Sequence, residues 1–81
     1  MYKDLLEFIV KKLVAFEDRV VISEVPTEEE NKQLLKLTVA KEDMGRIIGK
    51  EGRIIRSIRE IIYSYAMKDG KKVSIEIEEE K

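Results

Sequence analysis

Two glycines set two residues apart, Gly49 and Gly52, stand between two isoleucine-rich stretches, and no other feature constrains the chain as much. Before them, Met44, Ile47 and Ile48 recur at helical spacing. After them, Ile54, Ile55, Ile58, Ile61, Ile62 and Tyr65 fall on one arc at roughly 100° per residue, the repeat of an α-helix. Glycine reaches positive φ and so permits a tight turn between helices. The pattern predicts a short helix over 41–48 with Met44, Ile47 and Ile48 facing inward, a sharp turn over 49–52 and a longer helix over 53–67. Without Cβ atoms at the two glycines, a ligand backbone can approach the turn closely. The free N–H groups of the helix that follows point at it and attract phosphate. Gly45 lies inside the short helix, where it costs up to ~1 kcal/mol relative to alanine. Close approach by a ligand or a neighbouring helix would account for it.

The flanking segments supply the rest of a fold. Leu5, Leu6, Ile9, Val10, Leu13 and Val14 form one helical stripe, so residues 2–16 read as an amphipathic helix, with Tyr2, Phe8 and Phe16 as packing residues. Residues 19–25 are rich in β-branched side chains and read as a strand. A polar, acidic loop over 26–32 leads to Leu35, Leu37 and Val39, which alternate with Lys36 and Thr38 in a second strand. Asp69-Gly70 is a turn signal. Val73, Ile75 and Ile77 alternate with Ser74, Glu76 and Glu78 in a third strand. The order is α-β-β-α-α-β. The first two strands suit antiparallel pairing, and the crossover through two helices permits a parallel pair between the second and third. The expected fold class is α+β, a two-layer sandwich with three helices on one face of a three-stranded mixed sheet. The other face carries Lys36, Thr38, Ser74, Glu76 and Glu78 towards water. With 81 residues, the chain reads as one domain, 1–81. A domain of this size is marginally stable by itself.

Composition narrows the chemistry. The chain has neither histidine nor cysteine, which removes the usual zinc sites and most nucleophile–base pairs, so neither an enzyme nor a metal or other cofactor is expected. No apolar run approaches the ~20 residues that span a bilayer. The N-terminus lacks the uninterrupted apolar core of a signal peptide, so a soluble, cytoplasmic protein without membrane partners is expected. The net charge of −1 conceals segregation: residues 44–59 hold Arg46, Lys50, Arg53, Arg56 and Arg59 against Glu51 alone, a surplus of +4 that leaves −5 elsewhere. A chain built this way can present a basic face while acidic overall. Arg53, Arg56 and Arg59 fall together on a flank of the long helix, and the planar guanidinium fork suits phosphate.

The stretch Ile47-Ile48-Gly49-Lys50-Glu51-Gly52-Arg53-Ile54-Ile55-Arg56-Ser57-Ile58 resembles the KH motif, with Ile47, Ile48, Gly49, Gly52, Ile55 and Ile58 at the signature positions. The element order resembles the type II, bacterial form of the KH fold. Nearly the whole chain is similar to the KhpA family of small single-domain bacterial KH proteins. That resemblance implies a clamp on about four nucleotides of single-stranded RNA or DNA. Carried over, Gly49, Lys50, Glu51 and Gly52 form the clamp, Arg46, Arg53 and Arg56 are basic contacts, and Ile48 and Ile55 lie near an apolar floor. Glu51 departs from what a phosphate clamp asks for, although an acid there also suits a helix N-terminus. The resemblance further implies a post-transcriptional regulator or RNA chaperone that forms homodimers. It implies, too, heterodimers with a larger KH protein of the KhpB (Jag) type, and a link to cell elongation and division. A module that mainly assembles such a complex is the alternative. The wide apolar arc of Ile61, Ile62, Tyr63, Tyr65 and Met67 is the expected interface.

Overall fold

Leu6 and Val10, one helical turn apart and both fully buried, set the inner stripe of the first helix, α1 (Tyr2–Leu13), in a computed structural model that describes residues 2–80. The helix stops three residues short of the end the apolar pattern predicts. Val14 still donates to the carbonyl of Val10, but the next two N–H groups, of Ala15 and Phe16, turn to the carboxylate of Asp43 at 2.9 and 3.0 Å. A buried acid thus draws the chain out of the helix. A 3-10 turn over Glu17–Arg19 follows, so strand β1 runs Val21–Val25 and begins two residues later than the β-branched pattern suggests.

Strand β2 (Lys32–Val39) pairs antiparallel with β1, placing Ile22 beside Leu37, and strand β3 (Lys72–Glu79) pairs parallel with β2, placing Leu35 beside Ile75. The sheet order is β1-β2-β3. Alternation sends Leu35, Leu37, Val39, Val73 and Ile75 into the core. The opposite face carries Lys36, Thr38, Ser74, Glu76 and Glu78, with Lys36 and Glu78 in an ion pair of 3.4 Å. Between β2 and β3 come a 3-10 turn over Lys41–Asp43, helix α2 (Met44–Ile48), a second 3-10 turn over Lys50–Gly52 and helix α3 (Arg53–Lys68). The expected single short helix over 41–48 is therefore split, with Ile47 fully buried and Met44 and Ile48 half-buried. The result is the expected α+β sandwich, all helices on one sheet face. Each fully buried leucine or isoleucine in the shared core, such as Leu6, Leu37 and Ile62, stabilises it by roughly 1.5–3 kcal/mol relative to exposure. Among the described residues no helix is long and apolar enough to cross a membrane.

The core uses less of the apolar sequence than the pattern suggests. On α3, Ile55, Ile58, Ile62 and Ala66 are buried, spaced three and four apart. Ile54 and Ile61 belong to the same arc but lie on its outer side, 36% and 51% exposed. Phe8 and Phe16 are also exposed rather than packed inside, and cations cover them instead: the Lys12 ammonium lies 5.2 Å from the Phe8 ring centre and the Arg19 guanidinium 5.4 Å from that of Phe16. Tyr2 does pack inside. Its ring meets Tyr65 edge-on at 5.8 Å, and its hydroxyl donates to Asp69 at 2.6 Å, tying the start of α1 to the end of α3. That hydrogen bond, together with burial and the Asp69 charge, pushes the Tyr2 hydroxyl up to about 12.

Candidate nucleic-acid interface

The turn between α2 and α3 exists because of its backbone. Gly49, at φ 74° and ψ 179°, occupies a region essentially reserved for glycine, and a Cβ built there would lie 2.6 Å from Cγ1 of Ile54. Gly52, at φ 73° and ψ 16°, is left-handed, and so is Glu51 at φ 57° and ψ 26°. Gly49 closes α2 by donating to the carbonyl of Gly45 at 2.9 Å, and Gly52 donates back to Gly49 at 3.2 Å. The helix α3 then starts at once, with no side chain capping its first turn. The Arg53 N–H closes the preceding 3-10 turn on the carbonyl of Lys50, and the N–H groups that follow it have no side-chain cap. A Cβ at Gly45 would meet nothing within 4 Å, so the neighbouring helix does not require glycine there.

Cationic groups ring this turn. Lys50 is exposed and makes no ion pair among the described residues. Arg53 is exposed and meets the Glu51 carboxylate at 3.3 Å. Glu51 is therefore partly neutralised by its neighbour, in a solvated pair that is easily exchanged. Arg56 is exposed one turn along α3. Arg46 is exposed too, with its Nε 3.3 Å from Oδ1 of Asp43. Ile48 is half-buried beside the turn, whereas Ile55, 6% exposed, belongs to the core and can only support the surface from beneath. The turn thus carries Gly49, Lys50, Glu51, Gly52 and Arg53 at the N-terminus of α3, with Ile48 just before it and Arg56 one helical turn on; the Arg46 guanidinium is drawn back to Asp43, and Ile55 lies in the core.

Sequence reasoning missed Asp43, which is fully buried and holds the exit of α1 through two backbone N–H groups while pairing with Arg46. Its only signal was an acid immediately before a helix start. Arg59 also differs from expectation. It is half-buried, and its Nη2 donates to the carbonyl of Ile75 on β3 at 3.2 Å, while the hydroxyl of Tyr63 accepts the N–H of Ile75 at 3.4 Å. These two side chains cover the outer edge of β3.

At 100° per residue, α3 therefore has two unlike surface flanks beside its core stripe. One runs from Gly52 through Arg56, Arg59 and Tyr63 to Met67, alongside β3. The other holds Ile54, Ser57, Ile61, Ser64, Tyr65 and Lys68. The apolar arc expected as a single interface is consequently divided: Ile62 lies in the core, Tyr63 and Met67 on the first flank, and Ile61 and Tyr65 on the second, where a shallow groove runs between Ser57 and Asp69.

Residues 3–77 match the family described as KhpA/KhpB, KH domain. The chain is 49% identical over 75 residues to the RNA-binding protein KhpA of Clostridium acetobutylicum, covering 93% of this chain and 97% of that one. It is 48% identical over 79 residues to the protein of the same name from Chlamydia trachomatis, covering 98% and 99%. Among solved structures, part of Aquifex aeolicus Era bound to GDP and aluminium fluoride superposes with a TM-score of 0.61 at 16% identity, covering 96% of this chain and 29% of that one, a likeness of fold. No group of three or more acidic side chains among the described residues is arranged to hold a metal ion.

Proposed function

The chain belongs to the KhpA/KhpB family of KH domains, which is not an enzymatic one, and from that premise we propose that it binds single-stranded RNA at the turn Gly49–Gly52. The observation that carries the reading is the combination at this turn: two glycines in left-handed or glycine-only backbone, an uncapped helix start and the exposed cations Lys50, Arg53, Arg56 and Arg46. Phosphate oxygens accept from the leading N–H groups of α3 while the cations neutralise the backbone charge. About four nucleotides fill a clamp of this kind. Ile48 offers bases an apolar floor. No aromatic ring stands at the turn, so stacking contributes little and affinity for a short RNA is modest. Arg53 exchanges Glu51 for phosphate on binding. The same chemistry accepts single-stranded DNA. The setting is the cytoplasm, and the role is that of a post-transcriptional regulator or RNA chaperone.

The test is RNA binding by a Lys50→Asp/Glu51→Asp variant, measured by fluorescence anisotropy. Both side chains are exposed on the turn, so the circular dichroism spectrum stays that of the wild type while binding is lost. Wild-type affinity in the folded variant would refute the clamp.

A second observation favours assembly as part of the function. Ile54, Ile61 and Tyr65 expose apolar surface along the second flank of α3, on a domain small enough to gain from burying it. A second copy covers this flank in a homodimer, and a larger KH protein of the KhpB type can use the same flank. Two linked clamps hold one RNA more tightly than one does.

A further inference from the structure

Lys32 and Lys72 are directly paired residues of adjacent strands, and Lys71 precedes Lys72 in the chain. Like charges placed opposite one another across a sheet are unfavourable. Lys36, further along the same two strands, is by contrast paired with Glu78 at 3.4 Å. None of Lys32, Lys71 and Lys72 has an ion pair among the described residues, although the acidic turn Glu28–Glu30 adjoins Lys32 in the chain. The three surround a shallow cleft walled by Tyr63, Met67 and Val73. Met67 is 74% exposed at its rim. The cleft lies where the first flank of α3 ends, and Arg56, Arg59 and Tyr63 lead to it from the turn. Within that line Arg59 is half-buried and is held on the carbonyl of Ile75. Along α3, Tyr63 and Met67 at the cleft lie roughly 17–23 Å beyond Gly52.

We propose that this lysine cleft is a second contact for the RNA backbone, and that a strand longer than the clamp needs runs from Gly49–Gly52 along the β3 side of α3 to Lys32, Lys71 and Lys72. The inference rests on the clamp reading and extends it. An anion in the cleft relieves the unpaired like charges, and a base beside it meets the ring of Tyr63. A strand of about four nucleotides fills the clamp without reaching the cleft.

The test compares oligouridines of about four and about ten nucleotides with the wild type and with a Lys71→Glu/Lys72→Glu variant, whose exposed substitutions are checked by circular dichroism. The wild type binds the longer RNA at least tenfold more tightly, with log affinity falling more steeply against log salt by about 0.7 for each added phosphate contact. The variant keeps wild-type affinity for the short RNA and loses the advantage for the long one. An undiminished advantage in the variant would overturn the cleft. Failure of the clamp reading is separate: it appears as short-RNA affinity unaffected by Lys50→Asp/Glu51→Asp.

Discussion

The two exposed flanks of α3 share one helix and one core stripe, yet differ in almost everything else. Alongside β3 the side chains are Arg56, Arg59, Tyr63 and Met67, and two of them are fixed on the backbone of Ile75. On the other side Ile61 and Tyr65 stand among Ser57, Glu60, Ser64, Lys68 and Asp69 around an open groove, with Ile54 exposed nearer the turn. Both flanks begin at the same turn. Gly49 belongs to the proposed clamp by its backbone, but the group it avoids is the side chain of Ile54, on the opposite flank. A small domain can thus separate a charged surface from an apolar one using only the angular spacing of one helix, and in the proposed reading the first serves nucleic acid and the second protein. It also means that the turn is a point where both can be damaged together.

Replacing Gly49 gives the largest expected effect. Gly49→Ala forces alanine into glycine-only backbone, at about 1–3 kcal/mol, and against Ile54, which costs about a further 1–3 kcal/mol. Thermal unfolding measures the sum. The conservative partner is Gly52→Ala, where a Cβ meets open space and only the left-handed backbone is unfavourable, by roughly 1–2 kcal/mol. Equal losses at the two glycines would show that the contact with Ile54 does not matter.

Ile61→Glu separates the flanks. It replaces an exposed apolar side chain at the centre of this flank by a charge, so the proposed dimer dissociates at least tenfold more readily in sedimentation, about 1.4 kcal/mol or more, while affinity for a short RNA is unchanged. An unaltered dimer would show that the other flank, or another surface, is the interface. Arg56→Ala does the converse. Binding weakens several-fold on all sequences, and the slope of log affinity on log salt flattens by about 0.7, the contribution of one phosphate contact. A loss confined to one sequence would mean that Arg56 reads bases.

The smallest effect is at the closed end of α3. Tyr2 holds its proton more strongly in the folded state, where its hydroxyl is pushed up to about 12, than when unfolded near 10.0. The stabilisation is therefore complete below pH 10.0 and is lost as pH rises through about 12. Tyr2→Phe lacks this term, so the difference in melting temperature between it and the wild type narrows over that range. A constant difference would detach the Asp69 contact from stability.

Element order, strand pairing and the turn at Gly49–Gly52 were legible because each rests on local pattern: alternation for β2 and β3, a 3.6-residue repeat for α1 and α3, and glycine where the backbone is left-handed. What was not legible depends on partners distant in the chain. An arc of isoleucines shows that α3 is amphipathic but not which edge faces the sheet, so Ile54 and Ile61 read as one arc with Ile55, Ile58 and Ile62. Asp43 reads as a surface charge until two backbone N–H groups from residues 28 and 27 positions away reach it. The same contact shortens α1. Arg59 groups with Arg53 and Arg56 by spacing, and only the return of β3 turns it onto Ile75.

Chemical-shift mapping on the labelled protein, titrated with a short single-stranded RNA, compares the flanks residue by residue in one experiment. The largest amide shifts are expected at Gly49–Gly52 and Arg53, with further changes at Arg46 and Arg56, and none at Ser57, Ile61, Ser64 or Tyr65 beyond those of the proposed dimerisation. Shifts centred on the groove of Ile61 and Tyr65, with the glycine turn unmoved, would contradict it.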